Sequence, residues 1–258
     1  MALTAEVRLG RARARRWWVS GRRVGSVERA GSFVGDVGFA LLFPSPRVLV
    51  SALWEAVAGA DREPFATGMG VPEQKVWAWK DELPLRGDAW YGSFVAGRGS
   101  FLAPDLLTAL YAGAGGVDDH ERVPLSVAAH EIAHVLVDGP VPSAVLRSHL
   151  GDRTAYQRAI AELQRQLLVT NAGVTESASG WPSAVLDLTC RRFDVGGALD
   201  HGVAVRRFLG TVIEATTADL ARAFRWRPAY ARQRLDELVG SGAAAVEHDN
   251  YRAAPAVS

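Results

Sequence analysis

The stretch "PLSVAAHEIAHVLVDGPVPSAVLRSHLGDRTAYQRAIAELQRQLLV", residues 124–169, decides the fold. Apolar residues recur in it at helical spacing over three segments, which Gly139-Pro140 and Gly151 separate. The residues that follow, "TNAGVTE" and "PSAVLDL" on either side of "SASG", indicate a strand, a turn and a second strand. Three helices followed by a β-hairpin are the plan of a winged helix. We therefore predict a winged-helix domain over residues 120–200.

The same order of elements returns towards the C-terminus. "GVAVRRFLGTVI", "TTADLARAFRW" and "RPAYARQRLDELVGSG" each favour a helix, and "AAAVEHDNYRAA" favours a hairpin. These segments predict a second winged-helix domain over residues 201–258.

The region before residue 120 is less regular. Residues 24–119 combine helical segments with a section over 60–100 that is rich in Trp, Pro and Gly and favours strands and turns. Residues 1–23 are expected to form a flexible basic arm. The predicted fold class is α+β and mostly helical, with tandem winged-helix (helix-turn-helix) domains behind an N-terminal α/β region.

Charge is distributed unevenly, although the formal net charge is only +1. Residues 1–23 carry seven arginines against Glu6, and residues 203–235 carry seven arginines against Glu214 and Asp219. Basic blocks of this kind favour contact with phosphates. An extension without a folded role is the alternative for the first block, and a solvated helix surface for the second.

Composition narrows the class of protein further. No apolar run approaches the ~20 residues that a transmembrane helix needs, and the N-terminus lacks the apolar core of a signal peptide. Cys190 is the single cysteine, which excludes a disulfide framework and a CxxC metal site. We expect a cytoplasmic protein without membrane contact, and nothing in the sequence indicates its oligomeric state.

The segment His130-Glu131-Ile132-Ala133-His134 fits the HExxH pattern of zinc peptidases, in which both histidines bind zinc and the glutamate is the general base. The apolar residues of this helix centre on the side opposite the histidines, so we expect both histidines to face away from the core. Val137 and Pro140 replace the Gly and His of the longer peptidase pattern, and Glu162 lies within another predicted helix. We therefore predict an ordinary helix, with no metal and no cofactor, and a zinc peptidase is the least favoured function.

The third helix of each predicted winged helix supplies the residues expected to contact double-stranded DNA. Arg, Gln and Thr side chains donate hydrogen bonds to phosphates and base edges, although Glu162 on the same side of the first such helix would repel phosphate. Winged helices also serve as protein-interaction modules, so a non-catalytic regulator or interaction module is the alternative. The predicted DNA-binding residues are Thr154, Gln157, Arg158 and Arg165 in the first unit, and Arg225, Arg227, Arg232, Gln233 and Arg234 in the second.

The order of several longer segments resembles the short relatives of the AlkZ/YcaQ-like winged-helix DNA glycosylases, over roughly residues 24–250. These segments are "FALLFPSP", "SALWEAVAG", "VWAWKDELPLRGDAWYGSF", "GPVPSAVLRSHLG" and "AIAELQRQLLVTNAG". The resemblance implies tandem winged helices, affinity for DNA and a glycosylase-like role in the repair of damaged duplex DNA. The Gln-x-Gln pair of the active enzymes corresponds to Leu42-Phe43-Pro44-Ser45-Pro46, which holds neither Gln nor a carboxylate. No catalytic residue is therefore carried over from that motif.

The segment "WAWKDELP", residues 77–84, is the remaining place for chemistry. Trp77 and Trp79 offer rings that stack on a base, and Lys80 offers a cation for phosphate. Asp81 or Glu82 would activate water or stabilise an oxocarbenium-like sugar, as carboxylates do at glycosidic bonds. The alternative is a Trp-rich turn that packs on the core and carries solvated charges, so whether the protein is an enzyme stays open.

Overall fold

The N-terminal region surrounds a small antiparallel sheet with helices. The computed structural model describes residues 4–59, 62–176 and 182–254. The elements of this region are α1 (Ala5–Arg16), α2 (Val27–Val37), β1 (Phe39–Leu41), α3 (Leu53–Ala58), α4 (Val71–Arg86), β2 (Trp90–Ser93), β3 (Gly99–Leu102) and α5 (Pro104–Leu110). In the sheet, β3 is central and pairs with β1 on one side and β2 on the other, so that Leu102 lies opposite both Phe39 and Trp90.

The first C-terminal unit contains three longer helices, one short helix and a three-stranded sheet. Its elements are α6 (Val127–Val137), β4 (Val141–Pro142), α7 (Ser143–Leu150), α8 (Arg153–Arg165), β5 (Val169–Thr175), β6 (Ser183–Leu188) and the short α9 (Thr189–Arg192). The strand order is β4-β6-β5, and all pairs are antiparallel. Asp152 caps the start of α8, because its carboxylate accepts hydrogen bonds from the backbone N–H groups of Thr154 and Ala155. The predicted "SASG" turn, residues 177–180, lies outside the described residues.

The second C-terminal unit has α10 (His201–Val212), α11 (Thr217–Phe224), α12 (Pro228–Gly240) and a hairpin of β7 (Ala244–Glu247) and β8 (Asn250–Ala253). Thr216 and Asp219 form a reciprocal capping box at the start of α11. Helix α12 packs inward through Ala231, Leu235 and Leu238, which are buried. The whole chain is therefore a mixed helix-and-strand protein that is about half helical.

Two apolar clusters hold these regions together. One lies within the N-terminal region and includes Phe33, Trp54 and Trp79. The larger cluster runs from the N-terminal sheet through both C-terminal units, with Phe224 near its middle. The Phe224 ring lies 5.2 Å from the ring of Phe39. The last helical unit therefore packs directly against the N-terminal sheet.

Residues 5–16 form helix α1, where the sequence predicts a flexible arm. The Arg13 guanidinium donates to the carbonyls of Val212, at 2.9 Å, and of Glu214, at 2.7 Å, and Trp17 Nε1 donates to the Thr211 carbonyl at 2.9 Å. Thr211 and Val212 are in the last turn of α10, where carbonyls have no partner within the helix. Helix α1 thus caps the end of α10. Residues 1–3 of the predicted arm lie outside the described residues.

Helix α4 replaces most of the strands and turns that the sequence favours over residues 60–100. Pro72 lies in its first turn, where proline is tolerated, and Gly87 ends it in a left-handed conformation with φ +75°. Val76, Trp79 and Leu83 pack into the N-terminal core, while Asp81 faces β5. Because the helix is covered on more than one side, it lacks the single apolar stripe by which amphipathic helices are recognised.

In the parts of the chain that the structure describes, no helix is long and apolar enough to cross a bilayer.

Asp36 holds the segment after α1 in place. Its carboxylate accepts a hydrogen bond from Trp18 Nε1 at 2.7 Å and pairs with Arg16 at 2.9 Å. Burial by itself would raise the pKa of Asp36, but the Trp18 hydrogen bond and the Arg16 charge outweigh it, and the pKa lies below its usual value. This contribution to stability is present above the unfolded-state pKa of about 3.9 and is lost as the pH falls through the lower folded-state pKa.

We predict that Asp36→Asn lowers the free energy of unfolding by about 1 kcal/mol near neutral pH. The difference between wild type and variant should begin to shrink as the pH falls below about 3.9, and it should keep shrinking through the lower folded-state pKa of Asp36, below which the wild-type carboxylate is protonated in both states. Urea unfolding at several pH values measures it. A difference that is the same at all pH values would contradict a role for the carboxylate charge.

Candidate functional site

A cleft of about 680 Å³ lies between helix α4 and the hairpin of β5 and β6. Trp77, Lys80 and Asp81 line it from α4, and Val174 and Ala184 line it from the two strands. Three of the five residues predicted within "WAWKDELP" therefore lie together on one concave surface. We call this surface the α4–β5 cleft.

Asp81 is the centre of the polar contacts in the α4–β5 cleft. The carboxylate is buried, with 5% of the residue exposed. Its Oδ2 accepts a hydrogen bond from Lys80 Nζ at 2.6 Å, and its Oδ1 accepts one from Asn171 Nδ2. Lys80 Nζ also lies 5.0 Å from the centre of the Trp77 ring, within the range of a cation–π contact. Trp77, Lys80, Asp81 and Asn171 therefore form one connected row of side chains.

A bulge in β5 places Asn171 against Asp81. The pairing of β5 with β6 shifts register between Asn171 and Val174, and Gly173 there has φ +113°, a conformation that favours glycine. Bulges of this kind bend a strand and re-aim its side chains, and Asn171 at its edge reaches α4. Nearby, burial and then the Asp81 charge raise the pKa of Tyr91 well above its ordinary value. Tyr91 therefore stays a neutral phenol beside the cleft.

Trp79 and Glu82 do not line the α4–β5 cleft. Trp79 is 7% exposed and belongs to the N-terminal core, so its ring is not available to stack on a base. Glu82 is half-exposed and lies 3.6 Å from Arg86, which also pairs with Glu28 and Asp88. Of the two carboxylates predicted to act in catalysis, only Asp81 therefore lines the α4–β5 cleft. Successive helical residues point about 100° apart, which separates the two carboxylates.

The arrangement in the α4–β5 cleft fits chemistry at a sugar or a phosphate. A carboxylate whose two oxygens are held by an ammonium and an amide is preorganised, so it can stabilise developing positive charge or orient a water molecule. Lys80 supplies a cation next to it. Trp77, with 49% exposure, offers an accessible aromatic face for stacking.

The outward side of α8 carries the polar residues predicted for the first unit. Thr154, Gln157, Arg158 and Arg165 are all exposed. Over residues 4–59, 62–176 and 182–254, none of their side chains forms an ion pair or a hydrogen bond. Glu162, which was expected to oppose phosphate here, instead accepts hydrogen bonds from Ser126 N at 3.0 Å and Ser126 Oγ at 2.6 Å. Its carboxylate is thereby directed to the start of α6.

On the corresponding side of α12, the residues predicted to contact DNA already have acidic partners within the chain. Arg232 pairs with Asp249 at 2.7 Å, and Arg234 pairs with Glu237 at 2.7 Å. Gln233 Nε2 donates to the same Glu237 carboxylate at 3.2 Å. Asp249 and Glu237 therefore pair with Arg232 and Arg234, the two arginines within α12 that the sequence assigned to DNA.

Arg225 and Arg227 flank the start of α12 and are exposed. Arg225 lines a second cleft, of about 270 Å³, together with Arg165, His201, Phe224 and Trp226. Arg225 has φ +55°, and Gly97 lies so close that a Cβ there would approach the guanidinium to 3.2 Å. The structure thus brings Arg165 of the first unit and Arg225 of the second into one cleft, which we call the Arg165–Arg225 cleft.

Sequence reasoning missed His201 and Trp226 in the Arg165–Arg225 cleft and Asn171 in the α4–β5 cleft. Burial and then the neighbouring Arg234 charge lower the pKa of His201, so its imidazole is neutral near pH 7. The aromatic residues in "FRW" were the only available signal for Trp226. Asn171 is 90 residues from Asp81, and no local pattern joins the two.

The HExxH segment forms part of α6, as predicted. Ile132, Ala133 and Leu136 are buried, whereas Glu131 and His134 are exposed and His130 is half-buried. Within the described residues, no group of potential metal ligands contains both histidines of the motif. The structure therefore offers no support for a peptidase zinc site on this helix.

Comparison with known proteins places this architecture in a family. Residues 24–204 match the model of the AlkZ-related family, which is more than half of the chain, and the protein belongs to that family. Among solved structures, the DNA glycosylase AlkZ of Streptomyces sahachiroi is similar, with a TM-score of 0.60 and 13% sequence identity. The match covers 98% of this chain and 70% of that chain, and it establishes the fold. A search of curated proteins found no match. The resemblance seen in the sequence is confirmed.

We predict that Asp81→Ala lowers the free energy of unfolding by about 2–4 kcal/mol, because it leaves Asn171 and the half-enclosed Lys80 ammonium unpaired. Glu82→Ala, on the same helix, should cost less than about 1 kcal/mol because its partner is solvated. Urea unfolding of both variants measures the difference. Equal effects would mean that the Asp81 contacts do not join α4 to β5.

Proposed function

We propose that this protein binds duplex DNA and acts in DNA repair as a glycosylase-like protein on damaged bases. The observation that carries the proposal is the outward side of α8, which presents Arg158, Arg165 and two neutral polar side chains without intramolecular partners among the described residues. Cations left free at neutral pH are suited to a polyanion. Membership of the AlkZ-related family supports the same direction.

The order of elements supports a winged-helix interpretation of the first unit. Helix α6, strand β4, helices α7 and α8 and strands β5 and β6 follow one another, with β4 inserted between the first two helices and paired with β6. In a winged helix, the third helix enters the major groove and the hairpin contacts the backbone. On this model, α8 is the recognition helix. The second unit has three helices and a hairpin, but its third helix is neutralised by its own acids.

The second unit contributes to DNA binding through Arg225 and Arg227 rather than through α12. Arg225 shares a cleft with Arg165, the last residue of α8. Two guanidiniums in one concave surface would neutralise neighbouring phosphates and fix the register of the duplex. Arg232 and Arg234 would give up existing carboxylate partners to do so, which makes their net contribution small.

In the α4–β5 cleft, Asp81 is the proposed catalytic carboxylate. The segment Leu42–Pro46, which corresponds to the family's Gln-x-Gln motif, supplies the apolar side chains of Leu42 and Phe43, two prolines and Ser45. Asp81 would stabilise the positive charge that develops on the sugar, or orient the attacking water. Trp77 would stack on the base that leaves the duplex, and Lys80 would contact a phosphate.

A non-catalytic DNA-binding or protein-interaction role is the second candidate. It is favoured by the contacts of Asp81, since both of its oxygens already accept hydrogen bonds from Lys80 and Asn171. In this alternative, Asp81 serves only to join α4 to β5, and Trp77 belongs to an interaction surface.

For binding, we predict that Arg158→Ala and Arg165→Ala each weaken affinity for duplex DNA about 3- to 10-fold, and that each reduces the slope of log affinity against log salt by about one. Arg232→Ala is the matched control and should change affinity less than about twofold, because Asp249 already neutralises that residue. Fluorescence anisotropy with a labelled duplex at several salt concentrations measures both quantities. Equal losses in all three variants would contradict recognition by α8.

For catalysis, we predict that Asp81→Asn reduces base release from alkylated duplex DNA by about 10²-fold or more, the usual scale for a positioned acid–base group. Glu82→Gln should retain wild-type activity because it lies outside the cleft. Release of free base is followed chromatographically, with circular dichroism as the check on folding. Wild-type protein that binds duplex but releases no base above background would favour the non-catalytic candidate.

A further inference from the structure

We propose that His120, Glu121 and His130 form a binding site for a divalent transition metal, best suited to zinc. Their ligand atoms lie within 4.8 Å of one another. His120 and Glu121 come from a 3₁₀ turn (Asp119–Arg122) before α6, and His130 comes from the second turn of α6 itself. The site is separate from both clefts described above.

The hydrogen bonds of His120 prepare it as a metal ligand. Its Nδ1 lies 3.1 Å from the Val117 carbonyl, and because a carbonyl only accepts, Nδ1 carries the proton. Nε2 then presents a lone pair. A histidine that binds metal through one nitrogen commonly donates the other N–H to a carbonyl, which fixes the ring and its tautomer.

The Nε2 atom of His120 is buried and has no hydrogen-bond partner among the described residues. The Glu121 carboxylate faces it at 3.1 Å. A lone pair and a carboxylate oxygen repel each other unless a cation lies between them. A metal ion would satisfy both atoms at once, and a proton on Nε2 is the competing explanation.

His130 completes the set. Its ring centre lies 6.0 Å from that of His120, with the two planes at 61°. Ligand atoms around one zinc lie at most about 4 Å apart, since zinc–nitrogen and zinc–oxygen bonds are about 2.0–2.2 Å. The ligand atoms lie within 4.8 Å of one another, and the Glu121 side chain, which is 63% exposed, can rotate to bring its carboxylate within the zinc limit. Two imidazoles and one carboxylate favour Zn²⁺ over Mg²⁺, which prefers oxygen ligands only, and the fourth position would be left to water.

The loop before the site is already ordered. The Asp119 carboxylate accepts hydrogen bonds from the Tyr111 hydroxyl at 2.8 Å and from the N–H groups of Ala114 and Gly115 at 2.9 and 2.8 Å. His120 is therefore presented on a rigid turn, and metal binding would fasten this turn to α6. The sequence predicts no metal, because it offered only the HExxH motif as a site; of that motif, His130 belongs to the present group, whereas Glu131 and His134 lie outside it.

The test is calorimetric titration of chelator-treated, full-length protein with zinc chloride and, separately, with magnesium chloride. We expect one zinc per chain and no magnesium binding for the wild type. Glu121→Gln should weaken zinc binding at least 10-fold, and His130→Ala should abolish it. His134→Ala is the matched control on the same helix and should bind zinc like the wild type. Circular dichroism verifies folding, and the exposed Glu121→Gln variant keeps the test valid if His130→Ala unfolds.

A second measurement distinguishes a bound zinc ion from a proton on Nε2 of His120. Zinc should raise the melting temperature of the wild type and of His134→Ala, and should raise that of Glu121→Gln less at the same zinc concentration, because a ligand that binds only the folded state stabilises it to an extent that increases with its affinity. Failure of the wild type to bind zinc would overturn the proposal, and so would undiminished binding by His130→Ala and Glu121→Gln. Loss of binding in His134→Ala would move the metal to the HExxH residues and would overturn it as well.

Discussion

Phe224 is the residue at which the main parts of this protein meet. Its ring contacts Phe39 of the N-terminal sheet, Phe94 after strand β2, Phe208 of α10 and Trp226 before α12, at centroid distances between 4.6 and 6.4 Å. Burial of a ring of this size is worth several kcal/mol, of the order of 3–5 when it is deleted. Because these contacts come from separate regions, they fix how the second C-terminal unit sits on the sheet. The Arg165–Arg225 cleft exists only in that arrangement.

The sequence was sufficient where local signals agree. In residues 124–188, the apolar spacing, Gly139-Pro140 and Gly151 indicate the same boundaries, and the described helices and strands follow them. The same signals fail for α1. This helix docks through the guanidinium of Arg13 and the indole N–H of Trp17, which donate to carbonyls of α10, so its sequence shows no periodic apolar stripe. They fail for α4 because neighbours cover more than one of its sides. A pattern based on one buried face cannot represent either helix.

The candidate site was predictable only in part, for a related reason. The motif "WAWKDELP" contains Asp81, Lys80 and Trp77, but without the helix, which the sequence did not predict here, Trp79 and Glu82 were grouped with them. The helix separates these residues, since Trp79 turns into the core. Asn171, which holds Asp81, lies on a different element, as does the His120 partner of His130. Residue types that suit a chemistry can be found in a sequence, whereas the partners that orient them depend on how distant elements pack.

The capping of α10 by α1 has a consequence for the order in which this protein matures. Arg13 and Trp17 precede the carbonyls that they cover by 199 and 194 residues, so they leave the ribosome long before α10 exists. Until then, the arginine-rich segment is without its native acceptors and is exposed to any nearby polyanion, including the ribosome's own RNA. Docking of α1 is therefore a late event in biogenesis, and it gives Arg13, Arg16 and Trp17 their carbonyl acceptors on and after α10.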